Sequence, residues 1–130
     1  MPTASISLIP EKVDLTLYGG DGVELEINVT NGVAGPLPLT GEVAAQIRGS
    51  RVNPNVSADF AVDLADADNG IVLISLTGSQ TAALHGTSGA PIEKFTGVWD
   101  VQWTPDTGRS PVTLVQGNVE SNLDVTRLTP

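Results

Sequence analysis

Apolar and polar residues alternate along this chain in short runs closed by Gly, Pro, Asn or Asp, recurring about every 10–15 residues from Val13 to Val125. Val13-Asp-Leu-Thr-Leu-Tyr18 alternates and stops at Gly19-Gly-Asp-Gly22, where positive φ costs little, so it predicts a strand entering a hairpin turn. In Val23-Glu-Leu-Glu-Ile-Asn-Val29 the aliphatic residues share one face while Glu24, Glu26 and Asn28 share the other, the pattern of a half-buried strand. Residues 31–41 carry Pro36, Pro38 and several glycines and predict a loop crossing between sheets.

Val43 to Arg48 reads as a further strand, followed by a loop around Asn53-Pro54. Phe60, Val62 and Leu64 alternate with Asp59, Ala61 and Asp63, and Asn69-Gly70 is a favoured type I′ pair leading into Ile71–Leu76. Those runs predict a hairpin whose second strand is central. Between Thr77 and Gly86 helical propensity prevails, with Thr77 or Ser79 available as the cap of one short helical turn. Val98–Trp103 places Trp99, Val101 and Trp103 on one face, residues 104–108 form a turn, and strands are expected at Val112–Val115 and Val119–Val125. The expected fold is all-β: a single antiparallel β-sandwich of immunoglobulin-like or jelly-roll-like character, one domain over residues 1–130 with its core in about 13–127.

Composition narrows what such a module can do. Fifteen acidic residues against six basic ones give a formal charge of -9, which removes the electrostatic footprint of nucleic-acid or anionic-membrane binding. Charged residues make up only 16% of the chain, leaving a surface rich in neutral polar groups that suits packing against other proteins. Cys is absent, so no disulfide, thiolate ligand or Cys nucleophile is available, as fits assembly in a reducing cytoplasm. The start, Met1-Pro-Thr-Ala-Ser5, lacks the charged and apolar regions of a signal peptide, so the sequons at Asn28 and Asn55 are read as chance.

The candidates for chemistry are few. His85 is the single histidine and no Gly-x-Ser-x-Gly elbow accompanies it, so it is expected to be a plain surface or loop residue. Asp63-Leu-Ala-Asp-Ala-Asp-Asn-Gly70 offers carboxylates to a hard cation. If Asp66 is the first position of a calcium loop, however, Gly70 falls one place early and Thr77 stands where a bidentate Glu is needed. The stretch therefore reads as a hairpin tip, and no metal or cofactor is expected. Trp99 and Trp103 fit core or inter-subunit anchors better than an exposed sugar-stacking platform. With no groove-lining aromatics beside any carboxylate pair, no enzymatic activity is expected.

The order of motifs carries a resemblance: Asp14-Leu-Thr-Leu-Tyr-Gly-Gly-Asp21, Leu39-Thr-Gly-Glu-Val-Ala-Ala-Gln-Ile-Arg48, Gly70-Ile-Val-Leu-Ile-Ser-Leu-Thr77 with Gln80-Thr81, Trp99-Asp-Val-Gln102, Leu114-Val-Gln-Gly-Asn-Val119 and Asp124-Val-Thr-Arg127. This series resembles a small β-sandwich domain of virion proteins in tailed bacteriophages, especially long-tailed phages of mycobacteria and their relatives, and is similar to the attachment domain of upper baseplate proteins. The resemblance implies a non-enzymatic structural role in the virion, made in the host cytoplasm. The expected place is the tail, as a minor tail, tail-fibre or baseplate-associated subunit; capsid decoration is the alternative and a carbohydrate-binding module the third. Its implied partners are other virion proteins, tail or major capsid, and further copies of itself.

For that role the interface candidates are Ile47, Arg48, Arg51, Trp99 and Trp103. Arg48 and Arg51 stand in a stretch, residues 43–58, without a single acid, the place for a charge-assisted contact with an acidic neighbour.

Overall fold

The computed structural model describes residues 11–30, 38–86, 91–106, 108 and 110–123. Most of the expected 31–41 loop, the end of the last expected strand and both chain ends lie outside the described residues. Among the described residues nine strands form: β1 (Glu11–Lys12), β2 (Leu15–Gly19), β3 (Val23–Asn28), β4 (Glu42–Arg48), β5 (Ala58–Asp59), β6 (Ala61–Asp63), β7 (Ile71–Leu76), β8 (Lys94–Thr104) and β9 (Val112–Leu123). An α-helix, α1, spans Gly78–Ala83. The strands make two sheets, one ordered β1-β9-β8-β4-β5 with β2 also on β9, the other β3-β7-β6. This is the all-β sandwich expected from the alternation, with the run Ile71–Leu76 forming the expected central strand, β7.

The core lies between the sheets because period-two alternation turns one side of each strand inward. Ile47, Val101 and Val119 from the large sheet meet Val72 and Ile74 from the small one, all with essentially no exposure. Phe60 packs on Trp99 with ring centroids 5.9 Å apart and planes tilted by 48°, a favourable quadrupole arrangement. Phe60 also marks where the chain changes sheets: its N–H bonds the Ala45 carbonyl at 2.9 Å, β5 before it pairs with β4, and β6 after it pairs with β7.

Four local expectations are corrected. The run at 13–18 does not form a hairpin with 23–29: β2 pairs parallel to β9, Leu15 opposite Val119, while β3 crosses to the other sheet and pairs antiparallel to β7. The sandwich is therefore mixed, its N-terminal strands running parallel to the last one. Asn69-Gly70 is not a type I′ turn, because Asn69 ends a 3-10 turn at Ala67–Asn69 and only Gly70, at φ 74°, is left-handed; β6 and β7 still pair across this longer connection. The runs expected at 112–115 and 119–125 are joined in one strand, β9, as far as Leu123, and residues 124 and 125 lie outside the described residues. Its register against β8 slips between Val101 and Gln102, so Leu114 is the extra residue of a bulge and both Leu114 and Val115 are buried.

The fourth correction concerns His85. The helical turn forms where propensity places it, and Thr77 caps it through a reciprocal box with Gln80: the Gln80 N–H donates to Thr77 Oγ1 at 3.2 Å and the Thr77 N–H to Gln80 Oε1 at 2.9 Å. Fully buried Thr81 accepts the Gly20 N–H at 3.0 Å, which docks α1 on the end of β2. His85, on the turn after α1, is 1% exposed rather than on the surface. Its Nδ1 lies 2.7 Å from the Ile92 carbonyl and so donates, and in a neutral imidazole Nε2 then accepts from Ser121 Oγ at 2.9 Å. Gly19 is a glycine for the same reason, since a Cβ there would run into the imidazole, 2.6 Å from Cδ2.

Candidate protein-docking face

The outward side of the large sheet follows from its registers. Lys12, Gln116, Asp100, Gln46 and Asp59 are cross-strand neighbours in one row over β1, β9, β8, β4 and β5; Arg48, Val98 and Asn118 form the next row. These are the positions that alternate with core residues, so the face is polar because its partner positions are apolar. The Gln46 amide donates to Asp59 Oδ1 at 2.9 Å, and Lys94 pairs with Glu120 at 2.6 Å farther along the face.

Over this face stands the connection between β4 and β5. The Arg48 guanidinium braces it, donating from Nη1 to the Asn53 carbonyl and from Nη2 to Gln46 Oε1, each at 3.0 Å. Asn53 Oδ1 accepts the Asn55 N–H at 2.9 Å, and the Ser57 N–H returns to the Ile47 carbonyl at 2.7 Å. The loop is thus built to a fixed shape by polar bonds and presents Arg51 and Val52 at its tip; Val52 is 89% exposed. Beneath it lies a groove of about 530 Å³ lined by Gln46, Arg48, Arg51, Asn53, Asp100 and Gln102 among others. Burial raises the pKa of Asp100 above the ordinary carboxylate value, opposed by the charges of Arg51 and Arg48 and by the Gln102 amide.

Of the residues the sequence nominated for contact, Arg48 and Arg51 come together at this groove. Ile47, on the same strand as Arg48 but with opposite facing, is fully buried, and Trp99 is 3% exposed with its indole N–H on the Val13 carbonyl at 2.8 Å. Both belong to the core rather than to an exposed contact surface. Trp103 is half-buried and donates to the Thr40 carbonyl at 2.7 Å. With Trp99 in the core, the two indoles form no exposed stacking platform. Asp100, Gln102 and Val52 were missed. The signal for the first two was present, since they alternate with Trp99, Val101 and Trp103 and must face the other way.

The remaining chemistry is accounted for locally. Ser121 and His85 have the hydroxyl-to-imidazole contact of a nucleophilic pair, yet Ser121 is 0% exposed and its hydroxyl faces no solvent. In the acidic stretch, Asp63 Oδ1 accepts the Ala65 N–H at 2.9 Å, and among the described residues no group of three or more His, Cys, Asp or Glu side chains could hold a metal ion. No helix among the described residues is long and apolar enough to cross a membrane. In comparisons with known proteins, no family model and no curated relative matches the chain.

Proposed function

We propose that this chain is a non-enzymatic structural subunit of a bacteriophage virion, a minor tail or tail-fibre and baseplate-associated protein that works through protein–protein contacts. The observation that carries this reading is the braced β4–β5 loop, which holds Arg51 and an almost fully exposed Val52 over a polar sheet face. A pre-shaped loop with a charged and an apolar group at its tip loses little entropy on docking, as an assembly contact requires. The polar groove beside it is an interface rim rather than an apolar ligand pocket. The ordered motifs of the sequence, which resemble virion β-sandwich domains, supply the biological setting: synthesis in the bacterial cytoplasm followed by incorporation into the particle.

Immunogold labelling of intact virions with an antibody to this chain tests the reading. Label on the tail or its tip supports it. Label over the head replaces it with capsid decoration, and absence of the chain from purified virions refutes both.

A further inference from the structure

Charge is distributed unequally between the two sides of the sandwich. Among the described residues the basic ones are Lys12, Arg48, Arg51 and Lys94, and all four belong to the large sheet or its β4–β5 loop. The outward side of the small sheet has none. Its registers place Glu26, Leu73 and Asp63 in one row across β3, β7 and β6, with Glu24, Ser75 and Ala61 in the next and Ile71 opposite Asn28. Leu73 and Ile71 are half-buried there, while Glu24, Glu26 and Asp63 are exposed. The Asn28 amide donates to Glu26 Oε2 at 3.1 Å, holding that carboxylate on the face.

The two sides are complementary in order as well as in sign. The small sheet presents an apolar side chain, Leu73, between two carboxylates. The loop tip on the opposite side presents an apolar side chain, Val52, next to the Arg51 guanidinium with Arg48 behind it. From this complementarity we propose that the β4–β5 loop of one copy docks on the outward face of the small sheet of a second copy, Val52 against Leu73 and Ile71, and Arg51 toward Glu26 and Asp63. This rests on the reading of the chain as an assembly subunit and names the surfaces involved.

The faces are different and lie on opposite sides of the molecule, so the contact is head-to-tail. It cannot close as a two-fold dimer, and it propagates into a ring or a row. Repulsion between copies of charge -9 is screened over about 8 Å at physiological salt, whereas the guanidinium–carboxylate contacts are short enough to persist.

Sedimentation velocity of the purified chain, from micromolar to millimolar concentration, tests the proposal together with two variants. Arg51→Ser/Val52→Ser removes the loop tip, and Glu26→Gln/Asp63→Asn neutralises the acidic face while keeping its shape. All four positions are exposed, and circular dichroism verifies that each variant folds. The wild type is expected to grow past dimers with concentration, and each variant alone to associate at least about tenfold more weakly. An equimolar mixture of the two variants should form heterodimers and stop there, because each retains one working face. A wild type that stays monomeric, a two-fold dimer that survives either variant, or a mixture that does not associate overturns the proposal. Immunogold position on the virion does not depend on these outcomes, so failure here and failure of the virion reading are separable.

Discussion

Replacing Gly117 by Ala tests how the two N-terminal strands are locked to the core. Gly117 stands opposite Trp99 in the β8–β9 register, and a Cβ there would land on the Val13 carbonyl oxygen. That oxygen is the acceptor of the Trp99 indole N–H. A methyl group must therefore push the Val13 peptide away, which costs about 1–3 kcal/mol as overpacking. It also leaves a buried indole donor without its partner, a further ~1–3 kcal/mol. Together these give about 2–6 kcal/mol, or for a chain of this length a fall in Tm of about 6–30 °C. Urea unfolding followed by tryptophan fluorescence, with a thermal melt beside it, reads the effect. Trp99→Phe removes the donor, so Gly117→Ala made in that background should retain only the overpacking cost, and the cycle should show coupling of about 1–3 kcal/mol. A Gly117→Ala penalty below about 1 kcal/mol, or an equal penalty in both backgrounds, would refute the reasoning.

Ser121→Ala leaves the buried His85 Nε2 unpartnered and should lower stability by about 1–3 kcal/mol in chemical denaturation, with His85→Phe/Ser121→Ala costing less than the sum of the two single changes. Thr77→Ala removes half of the capping box and should cost about 0.5–2 kcal/mol, with amide exchange in α1 accelerating before that of the strands. For Asp100 the folded carboxyl binds its proton more tightly than the unfolded one, chiefly because of burial. Its ionisation therefore destabilises the fold progressively as pH rises from the ordinary carboxylate range through the raised value. Asp100→Asn should accordingly be more stable than wild type at neutral pH, the difference shrinking as pH falls below that range; an advantage that grows on acidification would reverse the assignment.

Much of this architecture is written in the alternation. β3, β4, β7 and β8 sit where their apolar residues alternate with Glu24 and Glu26, Gln46 and Arg48, Ser75, and Asp100 and Gln102, because burial of one face dictates which residue types stand on it. The helix was legible from the helical propensity after Thr77 and from Thr77 itself, one of the two candidate caps, because that chemistry is local; the structure chooses Thr77 over Ser79 and adds the return bond from Gln80. What local chemistry cannot encode is the partner of each strand. Gly19–Gly22 has the composition of a hairpin turn, yet the chain leaves one sheet there for the other: β2 pairs with distant β9 and β3 with β7. The burial of His85 was hidden likewise: its partners, Ile92 and Ser121, come from two other segments. At the candidate docking face, Arg48 and Arg51 stood out as cations in an acid-free stretch, whereas Ile47 and Trp99 belong to the core.

The parallel seam between β2 and β9 bears on how the chain matures as it is made. Asp14 accepts the N–H of Asn118, 104 residues away, and every ladder bond of β2 runs to that same late segment. A chain emerging N-terminus first can pair β3 with β7 early, but it holds β2 without a partner until β9 has been synthesised. Such non-local closure makes for slow folding, with an open strand edge in the interval. The large sheet, and with it the face that carries Arg48 and Arg51, is therefore completed after the small one. Under the proposed docking, chains that have not yet made β9 lack the finished surface, and the order of synthesis itself keeps them from associating too soon.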